Sequence, residues 1–247
     1  EVTKVTDPLG KSTHYDYDLN GNETKVTYPN GNRVEYGYNA VDRNTSISHN
    51  GTKHYSFAYD PNGNVTKETD HSGNEVTAYT YDTDNKLKTV TRGSSNKTEY
   101  TYDKNGNITE QKYTAGSAIF KHGFAYNAVD QLTKITEDGK NRAWFTYDEG
   151  DRIASRKNGD GTVTLFRYNG AGDLVEQIIL DKQGELLDKF TYSYDNKGNI
   201  TAIKSAAGTT QYVYDSLDQL TKETRPDGTI YEYTYDATGN RLTQKVT

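Results

Sequence analysis

The stretch Tyr-Asp-Leu-Asn-Gly-Asn at residues 17–22 decides the fold, because variants of it recur along the whole chain. Eleven copies of a tyrosine followed by Asp or Asn lie 20 to 26 residues apart, and most of these spacings are 21. Such a period is the signature of a repeat protein in which each repeat is one supersecondary unit. The eleven pairs are Tyr17-Asp18, Tyr38-Asn39, Tyr59-Asp60, Tyr81-Asp82, Tyr102-Asp103, Tyr126-Asn127, Tyr147-Asp148, Tyr168-Asn169, Tyr194-Asp195, Tyr214-Asp215 and Tyr235-Asp236.

A second aromatic residue precedes each of these tyrosines by two positions, as Tyr15 precedes Tyr17 and Phe57 precedes Tyr59. Side chains two apart lie on the same face of a strand, so each copy is predicted to end in a strand with two rings on one side. The Asp or Asn that follows can start a turn, because its short side chain bonds nearby backbone N–H groups.

A second turn is predicted half-way through each period, where Asx-Gly pairs occur. These pairs are strong hairpin signals, since both residues tolerate a positive φ. The clearest are Asn30-Gly31, Asn50-Gly51, Asp138-Gly139, Asp160-Gly161 and Asp227-Gly228. Apolar residues three apart, such as Leu132 and Ile135, break strict alternation, and a β-bulge would reconcile them.

Each repeat therefore reads as strand, Asx-Gly turn, aromatic strand and Tyr-Asx turn. We predict an all-β fold in which tandem β-hairpins form one long twisted antiparallel sheet of roughly 22 strands, at two per repeat. Strand twist should coil such a sheet into a spiral strip or partial shell. Residues 114–122 and 180–189 lengthen their hairpins, and residues 1–247 are predicted to be a single array without separate domains.

The composition excludes several classes of function. Hydrophobic residues make up only 32% of the chain, but 22 tyrosines are present, which argues for burial through aromatic rings and against disorder. A net charge of −6 with scattered Lys and Arg argues against a nucleic-acid partner. The absence of cysteine excludes disulfides, and no apolar run is long enough for membrane insertion.

No residue pattern typical of an enzyme or of a bound cofactor occurs. The five histidines form no ligand pair, and the carboxylates recur in every repeat so that no acid–base couple stands out. Asp18, Asn20 and Asn22 place oxygens at alternate positions as calcium loops do, but the bidentate acidic residue is missing. We therefore predict a non-enzymatic protein without cofactor or metal, in which the Asx residues cap their own turns.

The signature Tyr-Asp-x-x-Gly-Asn, with its earlier aromatic residue and its Asx-Gly turn, resembles the YD repeat. YD repeats define the Rhs proteins, bacterial wall-associated repeat proteins, the cage-forming components of Tc toxins and the shell of teneurins. The resemblance covers essentially the whole chain. It implies a β-sheet strip that spirals and, in complete members, encloses a cargo polypeptide, often a C-terminal toxin.

Two functional hypotheses follow. In the first, the chain is part of a β-shell in a secreted or bacterial cell-surface protein, and it encloses or presents a C-terminal toxin or effector. In the second, it is a carbohydrate- or cell-wall-binding module that uses exposed aromatic rings. Trp144, the only tryptophan, precedes Phe145 and so faces the opposite side, which makes it the candidate ligand contact. Two edge strands also predict edge-to-edge self-association.

Overall fold

The computed structural model describes residues 1–247, and all of its regular secondary structure is β-strand. The 23 strands are antiparallel to their partners and belong to one sheet, which confirms the predicted fold class. One strand more than expected is present because eleven aromatic strands alternate with twelve strands of the other type.

The chain comprises two compact units, Glu1–Gly123 and Phe124–Thr247, and the division falls within β12. The prediction of a single array without separate domains stays a prediction. The first unit contains β1 Lys4–Thr6, β2 Ser12–Tyr17, β3 Glu23–Thr27, β4 Arg33–Tyr38, β5 Asn44–His49, β6 Thr52–Tyr59, β7 Val65–Asp70, β8 Glu75–Tyr81, β9 Leu87–Arg92, β10 Asn96–Tyr102, β11 Ile108–Ala115 and most of β12 Ala118–Tyr126. The second contains β13 Leu132–Glu137, β14 Lys140–Tyr147, β15 Ile153–Asn158, β16 Val163–Tyr168, β17 Leu174–Leu180, β18 Leu186–Tyr194, β19 Ile200–Ser205, β20 Gly208–Tyr214, β21 Leu220–Thr224, β22 Ile230–Tyr235 and β23 Arg241–Val246.

Every Tyr-Asx pair opens a turn of one geometry, which we call the YD turn. In the first, the Asp18 N–H donates to the carbonyl of Asn22, and the Asp18 carboxylate accepts from the N–H groups of Asn20 and Asn22 at 2.9 Å each. The residue three after the Asx has a positive φ in all eleven turns, whether it is Gly21 at 88° or Asp42 at 59°. This is why the fifth position of the signature is restricted to Gly, Asn or Asp.

A β-bulge follows the YD turn. Tyr17 pairs with Glu23, but Asp16 pairs with Lys25, so Thr24 has no partner of its own. The same register shift beside the signature tyrosine occurs in the other YD hairpins whose register is described. The bulge places apolar residues three apart on one face, as the sequence pattern requires.

The five Asx-Gly turns divide into two kinds, which the sequence does not distinguish. Asn50-Gly51 and Asp138-Gly139 have a positive φ at both residues, as expected of two-residue hairpins. In the turns containing Asn30-Gly31, Asp160-Gly161 and Asp227-Gly228, only the glycine has a positive φ. The Tyr28 N–H donates to the carbonyl of Asn32, and the Gly31 N–H donates to the carbonyl of Tyr28, so this turn repeats the backbone hydrogen bonds of a YD turn.

The sheet is a single layer without a conventional core. Within each unit, the strands contact only their neighbours along the chain. The only buried residues are Val26, Thr77 and Ala143, and no side chain is below 2% exposed. All three lie on the face that carries the aromatic pairs, which we call the tyrosine face. We call the other side the polar face.

Within each unit, the signature tyrosines join a repeat to the one before it. Tyr102 Oη donates to the carbonyl of Leu87, at the start of the strand that follows the preceding YD turn. Such a bond crosses a repeat boundary and holds the ring against the sheet. The bonds of the same kind run from Tyr38 to Glu23, Tyr59 to Asn44, Tyr81 to Val65, Tyr147 to Leu132, Tyr168 to Ile153, Tyr194 to Leu174, Tyr214 to Ile200 and Tyr235 to Leu220, and from Tyr17 to Val2.

Removing one such hydroxyl tests its contribution. We expect Tyr102→Phe to lower the free energy of unfolding by about 1 kcal/mol, because a half-buried carbonyl loses its donor while the ring packing remains. Tyr100→Phe is the matched control, since Tyr100 lies on the same face of the same strand. Urea titration of the three proteins checks this. Equal effects of the two substitutions would contradict an inter-repeat role for the signature hydroxyl.

Candidate functional site on the tyrosine face

The eleven predicted Tyr-Asx pairs all lie at YD turns, with the tyrosine ending a strand and the Asx opening the turn. The tyrosine rings lie on one face and are half-buried. Partial burial raises the pKa of several of them above the usual value, among them Tyr192, Tyr194, Tyr212 and Tyr214. These rings stay neutral over the physiological pH range.

Shallow open grooves recur on this face beside consecutive YD turns. One groove of about 550 Å³ is lined by Tyr192 and Tyr194 together with Asp173 and Lys197. Another, of about 430 Å³, is lined in the first unit by Tyr100 and Tyr102 with charged residues of two turns. The recurrence of one polar and aromatic surface in both units indicates a repetitive contact surface and not a single reaction centre.

The polar face carries rows of ion pairs across adjacent strands. Glu99 accepts from Lys97 at 2.8 Å and from Lys112 at 2.9 Å, and these two hydrogen bonds lower its pKa to about 2. In the second unit, Glu176 pairs with Arg167 and with Lys189. Ion pairs thus link neighbouring strands on the polar face.

Trp144 lies on the polar face, opposite Phe145, as the alternation of side chains predicts. Its ring is half-buried, and Lys157 Nζ lies 5.9 Å from the ring centroid. The tryptophan therefore packs under a lysine and lies apart from the tyrosine grooves. Its role as a ligand contact stays a prediction.

The carboxylates of the YD turns are occupied as hydrogen-bond acceptors. Asp60 accepts from both the backbone N–H and the side-chain amide of Asn64, at 2.9 Å each, and these bonds lower its pKa. The calcium-like spacing seen in the sequence thus corresponds to Asx caps. No group of three or more His, Asp or Glu side chains is arranged to hold a metal ion. No helix of the kind that spans a membrane occurs in the structure.

Sequence reasoning did not identify the backbone carbonyls that receive the tyrosine hydroxyls. The carbonyl of Leu87 is one, and its residue type differs from repeat to repeat, from Glu23 to Ile200. The signal that could have located these carbonyls is their position in the sequence, since in most repeats the acceptor lies 15 residues before the tyrosine.

Two family models match this arrangement. The model of the teneurin YD-shell matches residues 23–173, and the model of the RHS repeat matches residues 1–33 and 214–247. The chain belongs to the teneurin YD-shell family. This confirms the resemblance that the signature indicated.

The YD-shell chain spans only a small part of the length of the longer proteins that it matches. It is 28% identical over 90 residues to the double-stranded DNA deaminase toxin A of Burkholderia cenocepacia, which covers 34% of this chain and 6% of the toxin. It matches a chain of the Photorhabdus luminescens Tc holotoxin pore with a TM-score of 0.79 and 16% identity, over 99% of this chain and 15% of that chain. A crystal structure of TcdB2-TccC3-TEV gives a TM-score of 0.77 and 16% identity, over 96% and 15%. These structures show the shared fold.

The turn carboxylates predict a loss of local stability in acid. Because its hydrogen bonds with Asn22 lower the pKa of folded Asp18, the stability that it contributes is present above the unfolded pKa of about 3.9. That stability is lost as the pH falls through the lower folded value. We expect the amide protection of residues 18–22 to fall below about pH 4. Asp18→Asn should make this fall smaller, and the same substitution in a chain that carries Asp42→Asn controls for the second carboxylate that accepts from Asn20 and Asn22. An equal fall with and without Asp18→Asn in that chain would contradict the prediction.

Proposed function

We propose that this chain is a non-enzymatic wall segment of a YD-shell in a secreted or cell-surface protein, where it encloses or presents a C-terminal toxin or effector polypeptide. The observation that carries the proposal is the tyrosine face, which has no second layer within either unit. The toxin named among the relatives and the Tc toxin complexes of the same fold support it.

The two faces differ in a way that supports the tyrosine face as the one that contacts the polypeptide. On the polar face, Glu99 and Glu176 are each paired with two cations, which suits contact with water. On the tyrosine face, the rings of Tyr192 and Tyr194 remain partly open beside a groove. Covering half-exposed aromatic rings removes apolar surface from water, so this face gains more from an enclosed chain than the polar face does.

A photo-crosslinker placed on each face tests the assignment. Tyr100 is replaced with benzoylphenylalanine to probe the tyrosine face, and Thr101, exposed on the next position of the same strand, is replaced to probe the polar face. The partner is a reduced and alkylated unfolded polypeptide. We expect crosslinks from position 100 and few from position 101. Equal crosslinking at both positions, or none at position 100, would contradict the proposal.

Carbohydrate binding is the second candidate function, and the tyrosine-lined groove at Tyr192 and Tyr194 is the observation that favours it. Pull-down on insoluble cell-wall polysaccharides, with Trp144→Ala in parallel, separates the two functions. If the chain is a shell wall, neither protein should be retained. Retention that is lost in the variant would establish a glycan site at Trp144, whereas equal retention of both proteins would point to the tyrosine groove.

A further inference from the structure

Ten of the eleven YD turns fall into two chemical classes, and the turn with Gly172 followed by Asp173 belongs to neither. A donor turn has glycine at the positive-φ position followed by asparagine, as in Gly21-Asn22. An acceptor turn has Asp or Asn at the positive-φ position, as in Asp42. The donor turns contain Asn22, Asn64, Asn107, Asn199 and Asn240, and the acceptor turns contain Asp42, Asn85, Asp130, Asp151 and Asp218.

Donor and acceptor turns contact each other across the repeat boundary. Asp42 Oδ1 accepts from the side-chain amides of Asn20 at 2.8 Å and Asn22 at 2.7 Å. Asn85 Oδ1 accepts in the same way from Asn62 at 2.8 Å and Asn64 at 2.9 Å. In both cases one side-chain oxygen receives two hydrogen bonds from the turn before it.

The second unit repeats the contact with a substituted donor. Asp218 Oδ1 accepts from Asn199 at 3.0 Å and from Lys197 Nζ at 2.8 Å. Gln131, in the acceptor turn of Asp130, also donates to Asp151 at 2.9 Å, whereas Gln219 precedes Gly239, so a glutamine at this position does not decide the class of the next turn. Wherever a donor turn is followed in the chain by another YD turn, that next turn has Asp or Asn at its positive-φ position.

A different contact, made by Arg or Lys of the preceding turn, lies beside Gly63, Gly106 and Gly172. A Cβ added at Gly63 would lie 2.7 Å from Arg43 Nη2, and Arg43 Nη1 donates to the carbonyl of Asp60 at 3.1 Å. The Arg152 guanidinium lies over the Tyr168 ring, 4.6 Å from its centroid, beside Gly172. These long cations occupy the space that an Asx side chain fills in an acceptor turn.

We propose that this pairing of turn classes is a recognition contact that specifies which YD repeat stacks on which. A donor turn selects an acceptor turn, and a turn with Arg or Lys at the next position selects a glycine turn. The row of YD turns is thus an interaction surface whose partner is a YD hairpin of the complementary class. The contact acts independently of what the tyrosine face encloses.

The acceptor residue lies at a position where its backbone conformation is strained, so its presence there indicates that its side chain contributes to the contact. An L-residue with φ near 60° costs more than glycine, although Asp and Asn bear it best. Asp42 is held at 59° and Asp218 at 62°, positions where glycine would be free of that strain. The two incoming hydrogen bonds compensate for the strain, because bonds to a charged acceptor are stronger than neutral ones.

The edge strand β23 presents a donor turn, formed by Gly239 and Asn240. The Asn240 amide donates within its own turn, to Asp236 at 3.0 Å and to Thr238 at 2.9 Å. By continuity with the repeat interfaces, the occupant that fits this edge is a YD hairpin with Asp or Asn at the positive-φ position. A second copy of the chain does not supply one at its first turn, which carries Gly21.

Substitutions at the first interface test the pairing. Asp42→Gly removes both hydrogen bonds but also relieves the backbone strain. We expect it to speed amide exchange in residues 36–46 about tenfold in the otherwise unchanged chain. In a chain that carries Asn20→Ala and Asn22→Ala, the same substitution should leave exchange unchanged or slow it. Asp42→Asn keeps a neutral acceptor, as Asn85 does, and should speed exchange less than Asp42→Gly does. An equal effect of Asp42→Gly in both backgrounds would overturn the proposal.

Extending the chain at its C-terminus tests which class of YD hairpin fits the edge strand β23. A copy of residues 30–47 is fused after Thr247, either unchanged or with D42G in the copy. We expect amide exchange in residues 236–240 to be about tenfold slower with the unchanged copy than with the D42G copy. Equal protection by the two copies, or concentration-dependent protection of the unextended chain through a second copy, would overturn the assignment of this edge.

Discussion

In each YD turn, one carboxylate or amide oxygen accepts hydrogen bonds from backbone N–H groups, and the register of the sheet follows from that contact. The oxygen of Asp18 fixes the five residues of the turn, and the turn ends in a bulge that displaces the pairing by one residue. Because side chains alternate along a strand, a displacement of one residue decides which residues share a face. The bulge keeps Val26 on the tyrosine face, opposite Tyr15. Without the cap, the turn could adopt other lengths, and the tyrosine face would not be continuous from repeat to repeat.

A sheet with so little buried apolar surface must be stabilised by contacts between neighbouring strands. The structure meets this requirement with polar contacts that repeat: the Asx cap, the tyrosine hydroxyl on the preceding repeat, and the ion pairs of the polar face. Each contact is individually modest, since exposed ion pairs contribute at most about 1 kcal/mol. Stability in such an array is close to a sum over repeats and their interfaces, and it has no single centre whose loss unfolds the whole. This explains why tyrosine outnumbers phenylalanine by 22 to 6, because a ring with a hydroxyl both covers the sheet and bonds to the next repeat.

The period and the Tyr-Asx signature were enough to predict the fold, the alternation of turns and the positions of the lengthened hairpins. They could not locate the acceptors of the tyrosine hydroxyls, because these are backbone carbonyls whose side chains vary from Glu23 to Leu87. They also do not distinguish the turn at Asn30-Gly31, where only the glycine has a positive φ, from a two-residue hairpin, since the sequence does not show how far the flanking strands pair before the turn begins. Trp144 was correctly placed on the face opposite Phe145, but its position beneath Lys157 depends on the register between β14 and β15. Contacts across a repeat boundary are in general poorly visible from one sequence, because neither partner is unusual in its own repeat.

The hydrogen bonds of the signature tyrosine hydroxyls also affect how a partner can contact the tyrosine face. Tyr102, Tyr147 and Tyr235 each donate the hydroxyl proton to a carbonyl of the chain itself. Recognition of a sugar depends on polar groups placed to match its hydroxyls, and these signature hydroxyls already have partners within the sheet. A surface of half-buried rings with satisfied hydroxyls instead favours contact that depends little on the sequence of the partner. Such contact suits the shell wall that we propose, because a wall covers its polypeptide without reading the sequence of that polypeptide.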